Sequence, residues 1–133
     1  MTISYSINKE AGLVHSRLTG DIDRNDIHAF FKELRNNKAF QPGSCALHDG
    51  RNINNMGVDY NSIHALANDC PWGKGSYRAI VISRPLMFGL SRMYQSLLTE
   101  NRGTIQIFDD LKEAEIWMDS VVEHKSHGQA YPL

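Results

Sequence analysis

Asp49 and Arg51 stand two residues apart at the end of a short apolar run. Arg84 and Arg92 bracket the start of an apolar-faced helical pattern that includes Phe88. Guanidinium groups pair with carboxylates and phosphates through two parallel N–H donors. If Arg51, Arg84 and Arg92 converge with Asp49, the group could take a carboxylate, a phosphate or an acidic residue of a partner, with Phe88 as an apolar contact. The competing reading is an internal Asp49–Arg51 pair that fixes a loop while Arg84 is solvated, because ion networks of this kind are often structural.

Other chemistry has weaker support. His48 beside Asp49 is the one pair that suggests acid–base work, yet neighbours on a strand point to opposite faces and do not share a site. Cys70, before Pro71, has no evident base beside it. The Gly73-Lys74-Gly75-Ser76 stretch lacks the upstream glycine of a phosphate loop and precedes a strand, where a phosphate loop must follow one. His124 and His127 have no further ligands at zinc-like spacing, so no metal and no cofactor are expected. His28 and His64 fall within helices and are expected to be surface or hydrogen-bonded histidines.

These residues are positioned by an alternation of strands and helices. Ile3, Tyr5 and Ile7 alternate with Ser4, Ser6 and Asn8, the period of a half-buried strand. A turn at residues 9–12 ends in Gly12, and residues 13–19 return as a second strand with Val14 and Leu18 inward and His15 and Arg17 outward. Gly20 ends that strand, and Asp and Asn at 21–25 can cap a helix whose face is Ile27, Phe30, Phe31 and Leu34. Residues 44–49 (SCALHD) predict a short strand, and the asparagine-rich residues 51–58 a polar loop. Asp59 then caps a short helix with Ile63, Leu66 and Ala67 inward.

The second half repeats the pattern. Residues 78–83 (RAIVIS) predict a buried strand and residues 86–100 a helix with Ser83 as N-cap and Pro85 in its first turn. Residues 104–108 (TIQIF) predict another strand and residues 110–122 another helix, led by Asp110 and Glu113 in a variant capping box. The stripe Met87, Phe88, Met93 and Tyr94 is expected to be mainly core, with Met87 and Phe88 able to line a cavity or a contact surface. Strand, strand, helix and then three strand–helix units make an α/β fold: an N-terminal hairpin leading into a mostly parallel sheet of about five strands covered by four helices. One domain over residues 1–123 and a flexible tail over 124–133 are expected.

Composition narrows the function. The 133 residues suit one core, and 14 basic against 15 acidic residues leave a net charge of −1. Without a basic excess or stripe, a nucleic-acid partner is not expected. No apolar run is long enough to span a bilayer, and the N-terminal residues do not form a secretory signal. A cytoplasmic location is expected, with Cys45 and Cys70 reduced and mostly buried.

The element order, Asp49 with Arg51, residues 78–98 (RAIVISRPLMFGLSRMYQSLL) and residues 105–118 (IQIFDDLKEAEIWM) together resemble the SpoIIAA-like (STAS-like) superfamily. That group includes anti-anti-sigma factors, and the chain is similar in particular to its small bacterial stand-alone domains of unassigned activity. Phe88-Gly89-Leu90-Ser91-Arg92-Met93 matches the family phrase at the third helix, and the resemblance spans about residues 1–123. Anti-anti-sigma domains carry a phosphorylatable Ser or Thr where the central strand meets the next helix. The matching stretch here is His48-Asp49-Gly50-Arg51-Asn52, which has no hydroxyl, so the phosphorylation switch is not carried over.

Two functions follow as expectations. The first is a non-enzymatic regulatory module that binds a protein partner, or itself as a homodimer, around the strand ends and the helix from Leu86. The second is a carrier or sensor for an anionic or lipid-like small molecule held between sheet and helices, with Arg51, Arg84 or Arg92 on its acidic end.

Overall fold

In the computed structural model, which describes residues 2–126, the alternation at the N-terminus becomes an antiparallel hairpin. Strand β1 (Ile3–Asn8) pairs with β2 (Leu13–Asp23). Gly12 closes the turn at φ 63°, a left-handed conformation that glycine adopts without a Cβ clash. Val14 is buried, and His15 and Arg17 are exposed.

Helix α1 (Arg24–Arg35) starts at a reciprocal cap: the Asp23 carboxylate accepts from Asp26 N at 3.0 Å, and the Asp26 carboxylate accepts from Asp23 N at 3.0 Å. Then follow β3 (Cys45–Gly57), α2 (Tyr60–Asn68), β4 (Tyr77–Val81), α3 (Pro85–Leu97), β5 (Thr104–Phe108) and α4 (Leu111–Ser126). The sheet order is β1-β2-β3-β4-β5, and every pairing after the hairpin is parallel.

This order explains the layers. All three crossovers step the same way along the sheet, so a common right hand puts α1, α2 and α3 on one face. That face buries Phe30, Phe31, Leu34, Ile63, Leu66, Met87 and Tyr94 around a fully buried Trp72. The last helix, α4, packs Ala114, Met118 and Val121 on the other face against Cys45, Leu47, Ala79 and Val81. Cys45 and Cys70 are both free and buried. Among the described residues no helix is long and apolar enough to cross a membrane.

Four local expectations need correction. Gly20 does not end β2, and residues 51–57 are not a loop. Beyond the point where β4 stops at Val81 opposite Asp49, β2 and β3 continue as a two-stranded parallel ribbon, pairing Thr19 with Asn52, Gly20 with Ile53 and Ile22 with Met56 across register shifts. Ladder hydrogen bonds use backbone groups, so an asparagine-rich segment can pair while Ile53 and Ile22 turn inward, 3% and 1% exposed. The N-cap of α3 is Arg84, without a side-chain cap; Ser83 Oγ instead donates to the Arg51 carbonyl at 3.2 Å. Residues 124–126 form the last turn of α4, where Lys125 Nζ donates to the Gly43 and Gly75 carbonyls. The rest of the expected tail, 127–133, lies outside the described residues.

Candidate functional site

Arg78 opens the apolar run of β4 in phase with Ile80 and Ile82, and period two therefore turns it toward α2 and α3. Its side chain is almost completely enclosed, with 2% of the residue exposed. Nη2 donates to the Tyr94 hydroxyl at 3.0 Å and to Cys70 Sγ at 3.4 Å. The guanidinium lies 4.4 Å from the Trp72 ring centre and 5.3 Å from that of Tyr94. No carboxylate of the described residues pairs with it, and Nε has no hydrogen-bond partner. Burying an ion costs several kcal/mol; the two cation–π contacts return about 2 kcal/mol each, but neither they nor the neutral acceptors Tyr94 and Cys70 bring an opposite charge. Arg78 is therefore a buried cation whose charge the fold leaves largely uncompensated.

His48 lies on the neighbouring strand of the same face: β3 and β4 align Ala46 with Arg78 and His48 with Ile80. The Ser16 hydroxyl and His48 Nδ1 are 2.7 Å apart, and Nε2 has no partner. Burial, with Arg78 and then His15 adding repulsion, pushes the His48 pKa well below its ordinary value, so the ring is neutral at pH 7. Burial likewise raises the Tyr94 pKa and keeps its phenol protonated.

These groups border a cavity of about 120 Å³ between the sheet and the three helices. Ile80 and Ile82 line it from the sheet, Phe30 and Phe31 from α1, Leu66 from α2, Met87 and Leu90 from α3, and Ile53 and Met56 from the ribbon. The polar side chains in its lining are His48, Arg78, Ser91 and Tyr94. Half-buried Ile27, Met56, Leu90 and Ser91 mark the side nearest solvent, whereas Arg78 lies at depth. Gly50 also lines the cavity, and a Cβ there would come within 3.0 Å of Ile53 Cδ1 and 3.1 Å of the Val81 carbonyl.

The charged residues singled out from the sequence lie elsewhere. Arg51 grips Asp49 through Nε and Nη2, both at 2.9 Å, and this pairing lowers the Asp49 pKa. Asp49 projects to the α4 face of β3, opposite to His48, and the field at Arg51 includes Glu115 and Asp110 near the start of α4. Arg84 Nη1 donates to the Asn54 carbonyl, Arg92 is exposed on α3, and Phe88 is half-buried against the core. Asp49 and Arg51 are thus brought together, while Arg84 and Arg92 make no hydrogen bond to that pair among the described residues. His28 Nδ1 meets an Asp69 carboxylate oxygen at 2.6 Å, and His64 Nε2 lies 3.0 Å from the Tyr60 hydroxyl. The buried Arg78 was readable in one respect: an arginine in phase with Ile80 and Ile82 on a central strand is a buried-polar signal.

Comparison with solved structures places this architecture. The crystal structure of an uncharacterized protein from the DUF3478 family with a SpoIIAA-like fold, from Shewanella loihica PV-4, superposes with a TM-score of 0.59 at 17% identity, over 87% of this chain and 93% of that one. The fold is SpoIIAA-like. An anti-sigma factor antagonist from Mycobacterium paratuberculosis matches the same SpoIIAA-like architecture with a TM-score of 0.53 at 15% identity, over 88% of this chain and 94% of that one. No family model matches the chain, and no curated protein does. In this SpoIIAA-like domain the junction between the central strand and the next helix lies at residues 57–60, because β3 runs on to Gly57 and Asp59 caps α2. Ser62, at the third helical position, is 8% exposed and its N–H donates to Asp59 Oδ1 at 2.8 Å.

Proposed function

We propose that this domain is a non-enzymatic regulatory module that takes up a small, largely apolar molecule between its sheet and helices α1–α3. The observation that carries the reading is the cavity of about 120 Å³ with an apolar wall and a polar floor at His48, Arg78 and Tyr94. Interiors normally pack with few voids larger than a water, so a space of this size next to an uncompensated cation is poor structure and good binding geometry. The occupant touches all three helices and the ribbon, which gives it a means of changing the surface those elements present. Regulation on this reading runs through the ligand; the expected switch stretch at residues 48–52 lies inside β3, not at its junction with α2.

Toluene is a suitable neutral probe. Its expected effect is a concentration-dependent rise in Tm, because a ligand that binds only the folded state stabilises it. Ser91→Trp, which fills the solvent side of the cavity, should remove that rise. A Tm that does not respond to toluene, with unchanged NMR signals for Ile80 and Leu90, would overturn the reading.

A second reading rests on a different observation. Tyr60 and Leu86, 57% and 71% exposed, begin α2 and α3 at the same end of the sheet. Together with Arg84, Phe88 and Arg92 they would form a docking surface for a protein partner or a second copy of the chain, as expected for a STAS-like interaction module. Light scattering on the wild type and Leu86→Glu tests self-association: a dimer that the substitution splits supports it, and a monomeric wild type removes it.

A further inference from the structure

The cavity has a definite electrical character as well as a size, and we infer that its ligand is a small monocarboxylate whose carboxylate is held at depth by Arg78 and His48. The inference rests on the cavity reading above and adds to it the chemical class of the occupant. Arg78 carries one positive charge that no carboxylate of the described residues neutralises, and its Nε has no partner. A guanidinium cannot shed its proton to escape that cost, so the compensating charge has to come from outside the described residues, and a bound anion supplies it. His48 supplies a second donor. Its Nε2 also has no partner, and this nitrogen carries the ring's proton in the tautomer where the Ser16 hydroxyl donates to Nδ1, the tautomer a bound carboxylate selects. Arg78 and His48 are diagonal neighbours on one face of adjacent strands. Two donors and one charge match the two oxygens and single charge of a carboxylate. A phosphate dianion would bring more charge and more acceptors than this floor can answer.

Size sets the remainder of the molecule. An apolar cavity of about 150 Å³ holds benzene, and this one is about 120 Å³. The enclosed part of the ligand, carboxylate included, is accordingly no larger than about one aromatic ring, packed between Phe30, Ile80 and Leu90, and the rest of the molecule leaves past Met56 and Ser91. Specificity for the acid follows from the same desolvation that makes Arg78 costly: a neutral isostere would fill the apolar wall and leave the cation unanswered.

Calorimetric titration at pH 7.5 with sodium benzoate, sodium hexanoate and the neutral benzyl alcohol tests this. The expected result is that both carboxylates bind at least tenfold tighter than benzyl alcohol, that added salt changes this little, and that Arg78→Met brings the benzoate-to-alcohol ratio close to one. Arg78→Lys, which keeps the charge and loses Nε, should give an intermediate ratio and serves if the methionine variant does not fold. Equal binding of benzoate and benzyl alcohol by the wild type overturns the carboxylate assignment and leaves the cavity reading standing. Failure of all three probes and of toluene overturns both. Benzoate binding that persists in Ser91→Trp and weakens steeply with salt places the anion on exposed arginines such as Arg84 and Arg92, and also overturns the inference.

Discussion

Ser16 Oγ and His48 Nδ1 lie 2.7 Å apart, tying β2 to β3 on the face that α1–α3 cover. Both residues are buried, and His48 is held neutral by burial and by the nearby Arg78. In the unfolded chain a histidine titrates near 6.5, whereas in the folded chain His48 does so well below that. Between those two pKa values the unfolded chain binds a proton that the folded chain does not. Stability is therefore complete above about pH 7 and falls as the pH drops below about 6.5, by about 1.4 kcal/mol per pH unit for this one group. Urea unfolding of the wild type and His48→Gln at pH 7.5, 6.5 and 5.5 checks it. The difference between the two proteins should change with that slope, and parallel curves would remove His48 from the account.

Arg51 is the surface half of a pair whose other half is buried: Asp49 is 3% exposed, and the Arg51 side chain is 41% exposed. Removing the arginine strands a carboxylate at the sheet end. Arg51→Met should cost about 1–2 kcal/mol, below the usual upper range for a stranded charge because the Arg51 N–H still donates to Asp49 at 3.2 Å and solvent screens the outer half. The lowered Asp49 pKa makes this contribution present above about pH 4 and lost as the pH falls through the folded value. Chemical denaturation of the variant at pH 7 and pH 3 tests both statements. An equal deficit at the two pH values would contradict the ion-pair origin.

Gly103 has φ 88° just before β5, and a Cβ there would lie 2.0 Å from Ser76 Oγ and 2.6 Å from the Ser76 carbonyl. Left-handed backbone costs a side-chain-bearing residue about 1–2 kcal/mol, and overpacking adds about 1–3 kcal/mol. Gly103→Ala should therefore lose about 2–5 kcal/mol, while Gly12→Ala, with open space around its Cβ, should lose only the backbone part. Matched thermal melts of the two variants distinguish these outcomes.

Arg78 and Trp72 stack at 4.4 Å, yet the two should respond very differently to replacement. Trp72→Ala empties the centre of an aromatic cluster with Phe30, Phe31, Phe40 and His48 and should cost about 3–5 kcal/mol. Arg78→Met removes a buried, uncompensated cation and keeps most of the volume, so its stability should stay within about 1–2 kcal/mol of the wild type. A loss from Arg78→Met as large as that from Trp72→Ala, measured without ligand, would mean that the arginine is chiefly structural.

The order of elements was legible because it depends on local spacing. Ile3, Tyr5 and Ile7 keep period two, and Phe30, Phe31 and Leu34 keep a helical stripe, whatever lies across from them. The hairpin, the parallel sheet and the right-handed crossovers follow from those periods and from chain chirality. The ribbon beyond Asp49 was not legible: residues 51–57 have the composition of a loop, and their pairing with β2 is made by backbone groups that every sequence carries. The charged group was legible in part. Asp49 and Arg51 meet because they are two residues apart on one strand and share a face, whereas Arg84 and Arg92 depend on where α3 lies.

The sequence by itself determined that Arg78 points to the same face as Ile80 and Ile82, since that is a property of one strand. Only the tertiary structure decided that α1, α2 and α3 leave a space above it, that Tyr94 and Trp72 close around its charge, and that no carboxylate of the described residues arrives to neutralise it. Those are relations between residues up to dozens of positions apart, set by how three helices pack on one sheet, and no local pattern encodes them.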